Sequence, residues 1–380
     1  MGGSSSPARF FAEAAASSDL LVLDTSNPDS IGEIDFASVN VVASSKSGTT
    51  IETQSLLAHA LASGLRERDL VVITDPGTSL ADAATHLGAL VIFGDPETGG
   101  RFSALSPFGL VPALYAGWNV HELRSALEAN HLTRDLAARA FADADTLTHE
   151  LHDGQGFFPL SDEPVLSGGA LWLEQLVAET TGKNDRGLVP VVQSGAEPAT
   201  LGNVMYFELL ASCVARALGV DPFNQPDVER AKQQVLAILS HGLPEASREA
   251  NFGEVKDALS RARYTTLQVY APLDAAPDVA LLRRRVQGRF GTVTANLGPR
   301  YLHSTGQLHK GGPRSVVGLQ IVVASHTRPQ RVQGRHFSFH DLHWAQAESD
   351  RLAMDAAGRH VWQFRVDSLE HVDELLELAS

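Results

Sequence analysis

Short apolar runs that alternate with longer helical patterns decide what this chain can fold into. The runs are "LLVLD" (Leu20–Asp24), "VNVVAS" (Val39–Ser44), "LVVITD" (Leu70–Asp75) and "ALVIFG" (Ala89–Gly94). Runs of this length separated by helical stretches are the rhythm of a parallel sheet with crossover helices. Between them, "ETQSLLAHALASGL" and "SLADAATHLG" carry apolar residues at helical spacing, and Pro76-Gly77 and Asp95-Pro96 supply turns after strand ends. A polar, helix-rich stretch from about His121 to Gly154 follows, and strand-like runs then recur as "GLVPVV", "TTLQVYAP", "VVGLQIVVAS" and "HVWQFRV". The expected fold is therefore α/β, with two doubly wound parallel-sheet units. The length of 380 residues fits two domains of roughly 150 to 200 residues each. The boundaries are placed at residues 1–125 and 126–380, the second unit ending in a strand and a helix.

Charge and cysteine usage exclude several functions. Thirty Lys and Arg against 45 Asp and Glu leave a net charge of −15, and no basic run could neutralise a phosphate backbone. Nucleic acid and anionic membranes are accordingly poor partners. The single Cys213 rules out an internal disulfide framework and reads as a reduced thiol packed on a helix. No apolar stretch has the form of a signal peptide or membrane span, so the chain reads as soluble and cytoplasmic. No G-x-G-x-x-G with an acidic residue at the required distance calls for a dinucleotide, and no cofactor is assigned. His336, His340 and His343 are spaced so that a helix would bring them near one another, but "RHFSFHDLHW" offers no clear fourth ligand, and no metal site is assigned.

"VVASSKSGTTIET" (Val41–Thr53) crowds Ser44, Ser45, Ser47, Thr49 and Thr50 around Lys46, just past a strand end. A helix is expected after Gly48, with Thr49 and Glu52 in the spacing of a capping box. Hydroxyls at a helix N-terminus suit an oxyanion, because backbone N–H groups and the helix dipole face it. The same residues equally suit an ordinary capped helix. The P-loop spacing is absent.

These residues also carry a family resemblance. "SSKSGTTIET" resembles the sugar-phosphate signature of the phosphoglucose isomerases, which consist of two sugar isomerase domains. "MGGSS" at the start is similar to the glycine-serine turn of that family, and "GGRFSALSPFGLVPAL" to its arginine loop. "LEQLVAETTGKNDRGLVPV" is similar to its catalytic glutamate segment, and "DPFNQPDVERAK" and "GPRYLHSTGQLHKGGP" match further segments. With "FSFHDLHWAQAESD" following, the chain most resembles the isomerase half of the bifunctional transaldolase/phosphoglucose isomerases.

The resemblance implies a glucose-6-phosphate isomerase of glycolysis and gluconeogenesis that works by ring opening and an enediol intermediate. It implies Glu179 as the base that moves a proton between C1 and C2, which one carboxylate can do because both carbons present the same face. Gln175, four residues earlier, would share its helix face. Arg101 would face the developing enediolate, His303 would exchange a proton with the ring oxygen, and Lys232 would assist ring opening. Gly3, Ser4, Ser45, Lys46, Ser47, Thr50, Glu52 and Gln175 are implied as substrate contacts. The implied partner is a sugar phosphate, with a homodimer as one option.

Two departures accompany the resemblance. The Lys232 segment precedes the His303 loop, an order shared with the transaldolase-fused relatives and reversed in stand-alone isomerases. Met1 already falls within the glycine turn, so a preceding buried strand is expected to be missing from the first sheet, with a cost to solubility or activity. A truncated, inactive chain or a regulatory sugar-phosphate-binding protein is the alternative. The glutamate segment argues against a purely regulatory role, and transaldolase activity is not expected of these residues.

Overall fold

The computed structural model describes residues 5–15, 20–149, 151, 154–161, 167–242 and 252–377, and for residues 228–232, 252 and 375 the backbone alone. The chain opens with helices α1 (Ser5–Ala14) and α2 (Pro28–Gly32), and then enters a parallel α/β unit. This unit comprises β1 (Val41–Ser44), α3 (Ile51–Ala62), β2 (Leu70–Thr74), α4 (Ser79–Leu87) and β3 (Leu90–Phe93). The strands stand in the order β1-β2-β3, with Val41 opposite Leu70 and Val71 opposite Leu90. All five residues of the central β2 are buried, as a strand covered on both faces requires. Local signals set the ends of the crossover helices. Thr78 caps α4 by accepting from the Ala81 N–H at 3.2 Å, and Gly88 closes it at φ 75°, where a side chain would be strained.

Helices α5 (Pro107–Tyr115), α6 (Val120–Ala129) and α7 (Arg134–His149) follow, matching the expected helix-rich stretch from α6 onward. Next come β4 (Gln155–Leu160), α8 (Gly168–Thr181), β5 (Gly187–Val192), α9 (Val204–Leu218), α10 (Pro226–His241) and α11 (Phe252–Arg261). The chain continues through β6 (Tyr264–Tyr270), α12 (Ala276–Phe290), β7 (Val293–Gly298), α13 (Gly306–Gly311), β8 (Val316–Val323), α14 (Phe339–Ala356), β9 (His360–Val366) and α15 (Glu370–Leu376). Among the described residues the named strands pair in parallel: β4 with β5, and β7-β6-β8-β9 as a four-stranded sheet beside which β5 runs. The mixed α/β class with parallel sheets is therefore the one expected. Among the described residues no helix is long and apolar enough to cross a membrane.

One expectation is corrected, two strands are added, and the reading of Cys213 stands. "LLVLD" forms no strand: the carbonyl of Val22 is taken by the Arg9 side chain at 3.0 Å and Asp24 by the same guanidinium, so the segment's polar groups go to α1 instead of a ladder. β1 consequently stands at an edge of its sheet. Strands β4 ("QGFFPL") and β7 ("VTANLG") lacked a long apolar run, and burial decides them. Cys213 is buried on α9, and burial pushes its thiol pKa up.

Helix α8 is the axis of the molecule. It is apolar or buried almost all round, with Trp172, Leu176 and Ala178 fully enclosed, which marks a helix surrounded by other elements. α1 packs on it and on α5, stacking the Phe10 ring against Trp172 at 5.4 Å between centroids. At its far end Gly182 lets α13 approach, because a Cβ there would stand 2.5 Å from Leu308 Cα. Phe11 has no exposed surface in this core. Phe11→Ala is predicted to lower stability by about 3–5 kcal/mol, through lost burial and a residual cavity, in urea unfolding. A loss under about 1 kcal/mol would show that α1 is not integral to the core.

Candidate active site

Glu179 lies near the C-terminus of α8, one turn after Gln175, and its Oε2 is 3.1 Å from Nε of Arg101. Arg101 sits in a 3-10 turn (Gly100–Phe102) beyond the carboxyl end of β3 and is 2% exposed. Its other nitrogens donate to the carbonyls of Pro222 at 3.1 Å and Asn224 at 3.2 Å and to the Gln225 side chain. One arginine therefore ties the loop after β3, the end of α8 and the segment leading into α10. Burial lowers the Arg101 pKa, opposed by the charges of Glu179 and Asp221.

The second pair joins Glu52, in the first turn of α3, to His303, in the turn Arg300–His303 after β7. His303 Nε2 is 2.8 Å from Glu52 Oε1, and Gln346 Nε2 of α14 donates to the same oxygen at 2.6 Å. Burial alone would raise the Glu52 pKa, but the His303 charge and hydrogen bond outweigh it and hold the carboxyl at about 2. An ionised carboxylate only accepts, so His303 carries its proton on Nε2. Gln175 Nε2 donates to the His303 backbone carbonyl at 2.8 Å, linking the two pairs through α8. The buried Gln175 Oε1 has no hydrogen-bond partner among the described residues.

The expected capping box does not form. The N-cap of α3 is Thr50 with no side-chain cap bond, because Glu52 is drawn to His303 and Gln346 and Thr50 Oγ1 accepts instead from the buried Ser45 Oγ at 3.1 Å. Ser47 is exposed and accepts from Thr49 Oγ1 at 3.0 Å. Lys46 pairs with Asp75 and donates to the Asp95 carbonyl at 2.8 Å. Gly48, at φ 65°, makes the turn into the helix, and a Cβ there would stand 2.7 Å from Thr78 Cβ. Gly3 and Ser4 lie outside the described residues, as does the side chain of Lys232. The helix that carries Lys232 starts beside the site, where Gln307 bridges Asp227 at 2.6 Å and the Gly182 carbonyl at 2.9 Å.

Sequence reading passed over Lys183, although it follows Glu179 closely in "AETTGK". Its Nζ donates to the carbonyls of Thr180, at 3.2 Å, and Asp221; burial, reinforced by Arg101, pulls its pKa to about 7. The three histidines separate: His336 Nε2 meets the Leu239 carbonyl at 3.0 Å, whereas His343 Nδ1 meets Ser26 Oγ at 3.0 Å. Among the described residues no group of three His, Cys, Asp or Glu could hold a metal ion.

Fold and site together define an α/β protein in which a buried carboxylate-arginine pair and a buried carboxylate-histidine pair are linked through Gln175. In sequence, the chain is similar to glucose-6-phosphate isomerases. That of Campylobacter jejuni is 29% identical over 220 residues, 52% of this chain and 53% of that protein. Those of Mycoplasma mobile and Rubrobacter xylanophilus are 31% and 34% identical over 166 and 165 residues, each 40% of this chain and 38% of the relative. The matches thus span about half or less of the length of these curated relatives. No family model matches the chain. A solved chain from Thermus thermophilus, titled a hypothetical protein, aligns with 96% of this chain and 70% of its own at 21% identity and a TM-score of 0.28.

Because the folded Glu52 pKa, about 2, lies below its ordinary 4.5, the group stabilises the fold above pH 4.5, and this contribution is lost as pH falls toward 2. In Glu52→Gln the acid-induced loss of stability over that window is predicted to be smaller by about 3 kcal/mol, at ~1.4 kcal/mol per tenfold change in proton affinity. Chemical denaturation at stepped pH measures it, and parallel curves for the two proteins would refute the pairing.

Proposed function

We propose that the chain is a glucose-6-phosphate isomerase interconverting glucose 6-phosphate and fructose 6-phosphate, divided after residue 125 into two sugar isomerase units. The observation that carries the reading is the convergence on α8 of a base-competent carboxylate, Glu179, and, through Gln175, of the turn bearing His303. Partial similarity to proteins of that name supports it. The order of the Lys232 and His303 segments supports reading the chain as a relative of the transaldolase-fused subfamily.

On this reading His303 opens the sugar ring, with Lys232 assisting. Glu179 then removes the proton from C2 of the open aldose, leaving an enediolate. Arg101 offers that enediolate a fixed positive charge in a water-poor setting, where it counts for more than in bulk water. The O2 hydroxyl proton passes to O1, and Glu179 returns the carbon proton to C1, giving the C1 alcohol and C2 carbonyl of the ketose, and no redox or group-transfer cofactor enters the balance. Ser45, Lys46, Ser47 and Thr50, with Gly3 and Ser4, hold the phosphate at the start of α3, whose N-terminal N–H groups favour an anion.

Glu179→Gln is predicted to lower isomerase turnover by about 10²–10⁴-fold, the scale of a lost general base, while fructose 6-phosphate binding stays nearly intact. Turnover in a coupled assay and binding by calorimetry, on one preparation, check both halves. Near-normal turnover would remove Glu179 from its role. Ser45→Ala with Thr50→Ala is predicted to weaken fructose 6-phosphate binding, each lost hydrogen bond to the charged phosphate contributing on the order of 1.5–3 kcal/mol. An unchanged dissociation constant would place the phosphate elsewhere.

A further inference from the structure

Glu52 does not hold His303 alone. The carboxylate accepts from Gln346 Nε2 at 2.6 Å, and Gln346 Oε1 in turn accepts from Ser26 Oγ at 2.6 Å. Ser26 Oγ is 3.0 Å from Nδ1 of His343. Every member is buried: Ser26 and Gln346 have at most 1% of their surface exposed, and His343 has 6%. The direction of each bond follows from the ionised end. Glu52 can only accept, so the amide of Gln346 must turn its NH₂ to Glu52 and its oxygen to Ser26. The hydroxyl of Ser26 has one proton, which it gives to that oxygen, so Ser26 receives its own bond from Nδ1–H of His343. That tautomer suits a neutral ring, and burial, with the neighbouring His340 charge adding to it, keeps His343 neutral at physiological pH.

At the other end the same logic fixes His303. Its Nε2–H is committed to Glu52. Its Nδ1 is neither among the enclosed polar atoms that lack a partner nor hydrogen-bonded to any described group. We infer that Ser26, Gln346 and His343 are positioning residues that lock Glu52, and through it the Nε2–H tautomer of His303, so that Nδ1 is the ring atom that faces substrate. The assignment of Nδ1 to ring opening rests on the isomerase reading; the lock itself does not. In ring opening Nδ1 takes the proton of the anomeric hydroxyl as the bond from the anomeric carbon to the ring oxygen breaks. The imidazolium so formed is balanced by Glu52, and Nδ1 delivers the same proton to the ring oxygen. No proton passes along the chain to His343, and the three residues act only by orientation.

The test combines nitrogen-15 NMR of the His303 ring, identified by its disappearance in His303→Gln, with kinetics on Gln346→Leu and Ser26→Ala. The native ring is expected in a single Nε2-protonated tautomer, and both variants are expected to mix the tautomers. Turnover of fructose 6-phosphate should fall about tenfold or more in Gln346→Leu and about threefold in Ser26→Ala with KM nearly unchanged, as for loss of orientation rather than of substrate contact. Ser26→Ala removes one oxygen atom and serves if Gln346→Leu does not fold. A native ring protonated on Nδ1, or variants whose tautomer is unchanged, would overturn the lock. The expected NMR result in a native protein with no isomerase activity would leave the lock standing and remove the isomerase reading instead.

Discussion

An ionised carboxylate buried among packed side chains is costly, and Glu52 has to be matched on every side. Moving a charge out of water costs several kcal/mol even after relaxation, and only well-placed donors offset it. Neither donor is local. His303 comes from the turn after β7 and Gln346 from α14, both far along the chain. The first parallel unit can therefore settle against the second in only one register, with the start of α3 facing that turn. The pair Arg101 and Glu179 adds a second fixed point of the same kind, again with one partner in a loop beyond a strand of the first sheet and the other on α8.

What keeps the His303 turn itself in place is a polar network beneath it. Lys310 pairs with Asp350 with almost no exposed surface, and Tyr301 donates its one hydroxyl proton to Asp350 at 2.8 Å, with the Tyr270 hydroxyl 3.2 Å from the same oxygen of Tyr301. His309 meets Thr266 at 3.0 Å, and Gln320 donates to the Ala347 carbonyl at 2.9 Å. Buried polar groups satisfied this way fix geometry more than they add stability, since each bond replaces one to water. The outcome is a rigid floor under a turn whose last residue, His303, reaches Glu52.

The parallel α/β class was legible because it depends on period: "LVVITD" and "VVGLQIVVAS" are too apolar and too short to be anything but buried strands, and their cores are β2 and β8, buried almost throughout. "LLVLD" has the same look and is not a strand, since pattern says nothing about which carbonyl a distant arginine will claim. The spacing of Gln175 and Glu179 correctly put both on one helix, and the resemblance brought Arg101, Glu52 and His303 to attention. The capping box failed for a related reason: Thr49 and Glu52 have the right spacing, but a carboxylate offered a buried imidazole and an amide does not turn back to its own helix. Ser26, Gln346 and His343 left no local sign at all. Their meaning comes from contacts between residues hundreds of positions apart, for which one sequence holds no record.

Asp24 carries a consequence for how the chain is assembled. It is held by Arg9 at 2.6 Å and lies 3.7 Å from Arg300, with 1% of its surface exposed. During synthesis the segment around Asp24 leaves the ribosome long before the arginine that completes its surroundings, and α1 likewise waits for α8. Residues early in this sequence thus find their native neighbours only when much later ones are available, so their docking is governed by closure of a long loop, a regime of slow folding in which unfinished sheet edges stay open to wrong partners.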